Sequence, residues 1–87
     1  AAFALDQNYP NPFNPSTKVD YSVPERSDVL IRVFDIMGTE VAKIVNESKE
    51  AGVYEASFDA AGLPSGMYMY ELRAGSVVIS KKMLLLK

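Results

Sequence analysis

Apolar and polar residues alternate along most of this chain with a period of two, the repeat of a half-buried β-strand. Thr17 to Val23 places Val19, Tyr21 and Val23 on one face and Lys18, Asp20 and Ser22 on the other. Val29 to Ile36 sets Val29, Ile31 and Val33 against Leu30, Arg32 and Phe34, and after the Met37-Gly38-Thr39 turn Glu40 to Val45 returns as a third strand. These two segments read as a hairpin, with Gly38 supplying positive φ. Asn46 to Gly52 reads as a polar loop; Gly52 and the β-branched residues oppose the alternative of a helix through Val41–Glu50. Val53 to Asp59 points Tyr54, Ala56 and Phe58 inward, Gly66 to Arg73 does the same with Tyr68, Tyr70 and Leu72, and Val77 to Leu86 completes the series. Turn residues recur about every ten positions, a spacing that favours an all-β antiparallel β-sandwich of six or seven short strands over a barrel or an α+β fold.

Ahead of these strands stands Tyr9-Pro-Asn-Pro-Phe-Asn-Pro-Ser-Thr17. Each proline fixes its own φ and pushes the residue before it toward extended backbone, so the run is neither helix nor central strand. A solvated spacer has no use for two aromatics. The segment therefore reads as a stiff strap anchored on the body by Tyr9 and Phe13, dividing the chain into a linker and strap over 1–16 and a sandwich over 17–87.

Composition narrows the function by exclusion. The chain has 87 residues, enough for one small domain. It contains neither cysteine nor histidine, which removes thiolate metal sites and any nucleophile–histidine–acid catalysis within it. Net charge is −2 with the signs interspersed, unlike the basic stripe of a nucleic-acid binder. No run of apolar residues is long enough for a transmembrane helix. Asp20, Asp28, Asp35 and Asp59 read as solubilising charges and turn formers, since no dense acidic loop surrounds them. Ser65, in Pro64-Ser-Gly66, lacks a nucleophile elbow and reads as a turn residue. Tyr54, Tyr68 and Tyr70 read as core residues, with a sugar-stacking row as the alternative. No enzymatic activity, metal or cofactor is expected.

The last segment, Ser80-Lys-Lys-Met-Leu-Leu-Leu-Lys87, is apolar on both faces, with Met83 and Leu85 beside Lys81 and Lys87 on one and Leu84 and Leu86 beside Lys82 on the other. It fits a strand inserted between neighbours with lysines as edge gatekeepers, or a strand that a partner covers by β-augmentation.

Taken in order, Leu5-x-Gln-Asn-Tyr-Pro-Asn-Pro-Phe-Asn-Pro-Ser-Thr17, Tyr21-x-Val-Pro24, Val33-Phe-Asp-x-x-Gly38, Leu63-Pro-Ser-Gly-x-Tyr68 and Lys81-Lys-Met-x-Leu-x-Lys87 resemble the type A C-terminal sorting domain of the bacterial type IX secretion system, with a further likeness to the immunoglobulin-like module of flagellar hook-capping proteins. The resemblance implies a non-catalytic secretion signal at the C-terminal end of a larger cargo protein. The cargo would pass through periplasm and outer membrane to the cell surface or the medium. The partners it implies are the outer-membrane translocon, its shuttle proteins and a sortase that cuts on the N-terminal side of the domain. Gly66, Tyr68, Gly75, Lys82, Met83, Leu85 and Lys87 are the positions it marks for translocon recognition. Tyr54 stands where histidine is frequent in the family, a packing variation. Deleting Met83–Lys87 is expected to abolish export. The alternative function is an accessory extracellular binding or assembly module.

Overall fold

A computed structural model describes residues 2–87. Seven strands form two antiparallel sheets: β1 (Ala4–Leu5), β2 (Ser16–Val23) and β5 (Gly52–Asp59) in the order β1-β2-β5, and β3 (Ser27–Phe34), β4 (Glu40–Lys49), β6 (Gly66–Ala74) and β7 (Val77–Leu85) in the order β4-β3-β6-β7. The chain changes sheet between β2 and β3, between β4 and β5 and again between β5 and β6, which gives the immunoglobulin-like sandwich its two packed layers.

The period-two pattern sets the core. From one sheet Val19, Tyr21, Val23, Ala56 and Phe58 point inward. From the other come Val29, Ile31, Val33, Tyr68, Tyr70, Leu72, Met83 and Leu85. Every one of these is buried, so the sheets are held chiefly by burial of these alternate side chains. β2 and β5 pair without a break from Ser16↔Asp59 to Val23↔Gly52, whereas β3 and β4 slip at Ile31/Arg32 and at Val33/Phe34.

Two strands differ from the sequence reading: β1 forms within the segment read as linker. β4 runs on to Lys49, so Asn46–Lys49 is strand and not loop, and no helix forms through Val41–Glu50. Leu30, Val29, Asp28 and Ser27 pair with Asn46 to Lys49 in turn, and this ladder holds polar residues that project past the core at a sheet edge. The expected turns are present: Asp35 Oδ1 accepts from Met37 N at 2.9 Å and Thr39 N at 3.0 Å, and Gly38 takes φ +85°. Asp59 Oδ1 accepts in the same manner from Ala61 N at 2.9 Å.

Candidate functional site

The site is the terminal strand β7, together with the strap that lies against it. β7 is an edge strand, paired with β6 from Gly66↔Leu85 to Ala74↔Val77 and with no strand of its own sheet on the other side. The expectation of a strand inserted between two neighbours is thus not met. Its inner face is apolar as read: Met83 and Leu85 are buried in the core, while Leu84 is half-buried and Lys82 and Leu86 are exposed.

The open side of β7 is closed at its C-terminal half by the strap. Phe13 pairs with Leu85 as a single parallel bridge. Phe13 N donates to Leu84 O at 2.9 Å and Leu86 N donates to Phe13 O at 3.0 Å. Side chains extend the seam: Gln7 Nε2 donates to Lys82 O at 2.7 Å, and Leu84 N donates to Asn11 Oδ1 at 3.0 Å. Prolines cannot donate to a ladder, so the strap uses the one aromatic among them. The peptide bonds before Pro10, Pro12 and Pro15 are cis.

The two aromatic anchors separate. Phe13 is only 2% exposed and tilts against Phe58, ring centroids 6.3 Å apart. Tyr9 is 81% exposed; its ring anchors nothing. Its backbone does the work, exchanging hydrogen bonds with Lys18 at 2.9 and 3.0 Å, a pairing that turns the side chain away from the core.

Beneath the strap lies a buried polar network. Asn8 Nδ2 donates to Thr17 Oγ1 at 3.0 Å and to Pro10 O at 3.1 Å, and Thr17 Oγ1 donates to Pro10 O at 2.9 Å. Asn8 N donates to the Tyr70 hydroxyl at 2.8 Å, which itself donates to Asp6 O at 2.7 Å. Burial pushes the Tyr70 phenol above its ordinary range, opposed by the hydrogen bond from Asn8 and reinforced by Asp6. The hydroxyl therefore stays protonated and keeps both strap contacts. Nothing in the period-two pattern signalled this network; the signal was Gln7-Asn8 and Thr17 flanking the prolines, polar residues with no turn to make.

The residues marked for recognition fall into three groups. Tyr68, Met83 and Leu85 are buried, and the Tyr68 hydroxyl donates to Pro64 O at 2.7 Å, fastening the Leu63-Pro-Ser-Gly turn to β6. Gly66 (φ +154°) opens β6, and Gly75 (φ +60°) makes the two-residue turn from β6 to β7. Lys82 and Lys87 are exposed. Lys87 is nonetheless tethered: its N–H donates to Ser65 Oγ at 2.9 Å and its ammonium reaches Ala61 O.

Charge singles out this strand. Lys18, Arg26, Arg32, Lys43, Lys49 and Arg73 all form ion pairs with glutamates. Of the nine lysines and arginines, the three without an ion-pair partner among the described residues are Lys81, Lys82 and Lys87. Among the described residues no group of histidine, cysteine, aspartate and glutamate could hold a metal. No helix there is long and apolar enough to cross a membrane.

The family model of the secretion system C-terminal sorting domain matches residues 7–86. This chain belongs to that family. The match takes in the strap and every strand except β1, so the seam between Phe13 and Leu85 lies wholly inside it. A search of curated proteins gives no match. The chain is a type IX sorting signal, and such a domain marks the protein that carries it for export to the cell surface or beyond. Membership of this family implies interaction with the type IX machinery and suggests a non-catalytic role.

Proposed function

We propose that the terminal strand is the part of the sorting domain that the outer-membrane translocon and its shuttle proteins read, with Lys82 and Lys87 touched directly. Tyr68, Met83 and Leu85 hold the strand in register from within, and Gly66 and Gly75 shape the turns at its two ends. The observation that carries this reading is the segregation of charge: in a domain of net charge −2, the three lysines and arginines without a carboxylate partner among the described residues all stand on residues 81–87. Unpaired surface charges steer association and set orientation, whereas the paired ones are neutralised locally.

The same reading puts the sortase cut before Leu5. Leu5 is buried, Ala4 and Leu5 pair with Ser22 and Tyr21, and Phe3 packs against the core, so a protease needs extended chain upstream of them. The sortase then removes the domain, and the cargo is joined to surface lipopolysaccharide or released.

The test is a reporter fused ahead of this chain in a host that carries the type IX system. Surface reporter is expected with the wild-type tail, with a mature mass that lacks the domain. Lys82→Glu with Lys87→Glu should retain the reporter in the periplasm. Deleting Met83–Lys87 is a poorer test, because it also removes two core side chains. Unchanged export with both lysines reversed would place the recognised surface elsewhere.

A further inference from the structure

The outer face of the four-stranded sheet is divided in two. One half is an ion-pair lattice: Arg32 bridges Glu40 at 3.3 Å and Glu71 at 3.1 Å, Lys43 meets Glu40 at 3.1 Å, and Arg73 meets Glu71 at 3.5 Å. The hydrogen bond from Lys43 holds the Glu40 carboxyl below its ordinary range. The other half is apolar. Phe34 pairs with Met69, Met69 with Lys82, and Met67 with Leu84, so these side chains form adjoining rows. Ile36 is 80% exposed, Met67 44% and Met69 40%. Together with Phe34 and Lys82 they line an open groove of about 440 Å³. Scattered exposed apolar residues need no explanation, but a contiguous groove of them beside a charged half marks an interaction surface. Methionines suit such a face, because their flexible thioethers adapt to what lies on them.

The charges around the groove identify the occupant. The Asp35 carboxylate is turned to the N–H groups of Met37 and Thr39, and Glu71 is held by Arg32 and Arg73. Among the described residues, Lys82 is the one cation lining the groove, and no carboxylate pairs with it. A small ligand would find no converging polar groups to orient it. An anionic membrane is bound by clusters of about four to eight cations, not by one.

We propose that this groove is the docking face for a protein of the export machinery that presents an apolar side chain directly beside a carboxylate, the first seated between Phe34, Met67 and Met69 and the second on Lys82. The proposal rests on the terminal-strand reading above and extends it from the strand to a second, flanking contact on β3 and β6.

The reporter fusion tests it with Met69→Asp, Met67→Gln, Lys82→Glu and Lys82→Arg, and with Val53→Asp on the exposed face of the other sheet as control. Surface reporter should fall about tenfold for Met69→Asp and Lys82→Glu, less for Met67→Gln, and hold for Lys82→Arg and Val53→Asp. Thermal melts of the purified variants should match wild type. If Met69→Asp fails to fold, Met67→Gln and Lys82→Glu decide. Wild-type export by the methionine variants, with Lys82→Glu impaired, overturns the groove and leaves the terminal-strand reading standing. Failure of the unsubstituted fusion to be exported overturns both. Sedimentation equilibrium showing a dimer that Met69→Asp dissolves would assign the groove to a second copy. Flotation with phosphatidylethanolamine–phosphatidylglycerol vesicles, lost in the same variant, would assign it to a membrane. Either result overturns the proposal.

Discussion

Phe13 and Leu85, close to opposite ends of the sequence, are bridged as parallel-strand neighbours, with the Phe13 backbone donating to Leu84 and accepting from Leu86. The strap ahead of the sandwich is thereby bonded to the strand that bears unpaired lysines. Strap and terminal strand form one unit, and perturbing one end should register at the other.

Replacing Phe13 by alanine should show this most directly. A buried phenylalanine cut to alanine costs about 3–5 kcal/mol, from lost burial and the cavity left behind. Urea unfolding should report that loss, and limited proteolysis should find new cuts in the strap. Tyr9→Ala, which removes an exposed ring, should stay within about 0.5 kcal/mol of wild type. Equal losses at the two positions would mean that burial does not decide the anchor.

Tyr70→Phe keeps the ring and removes the hydroxyl, leaving Asn8 N–H and Asp6 C=O without their partner. The expected cost is about 1–3 kcal/mol at neutral pH. The pH dependence follows from linkage. The folded state holds the Tyr70 proton more tightly than the unfolded state, since burial raises its pKa above the ordinary 10.0. The phenol's stabilisation is thus complete below pH 10.0 and is lost as pH rises through the folded-state value. Alkaline titration of the variant should give a shallower fall in stability; the slope that remains belongs to Tyr21, whose pKa burial also raises, and to Lys49, whose pKa the hydrogen bond with Glu47 raises.

Asn8 and Thr17 should behave as a coupled pair. Asn8→Ala and Thr17→Val each disturb a hydrogen bond shared with the other and with Pro10 O. A double-mutant cycle should return a coupling energy of about 0.5–3 kcal/mol. Strict additivity would show that the two side chains act independently.

At Gly75 the demand is on the backbone alone. A Cβ built there meets nothing within 4 Å, yet φ is +60°. Gly75→Ala should therefore cost about 1–2 kcal/mol through left-handed strain, and Gly75→Asn distinctly less, because asparagine tolerates that region. Thermal melts separate the two; identical losses would point to packing instead.

Most of the sandwich was legible because one inward residue in two is enough to write a strand. Val19, Tyr21 and Val23, or Tyr68, Tyr70 and Leu72, are readable wherever both faces of the alternation are present. The end of β4 was not, since Asn46, Glu47 and Ser48 lie on an edge past the core and alternate nothing. β1 contributes one buried residue, Leu5, too few to show a period. The recognition motifs gave the family and the polar termini of the strand. They could not show which of Tyr9 and Phe13 faces inward, because prolines on both sides remove the period that would orient them. The seam with β7 was equally hidden: a long-range parallel contact leaves no local trace in either segment.

That seam also fixes how the domain carries load. Strap and terminal strand run parallel, so a pull applied from the cargo side against a held C-terminal strand draws them in opposite directions along their length. The four hydrogen bonds of Gln7, Asn11 and Phe13 to residues 82–86 are then strained together in shear, not peeled apart singly. A passenger dragged through a channel by its tail would meet its mechanical resistance at this joint.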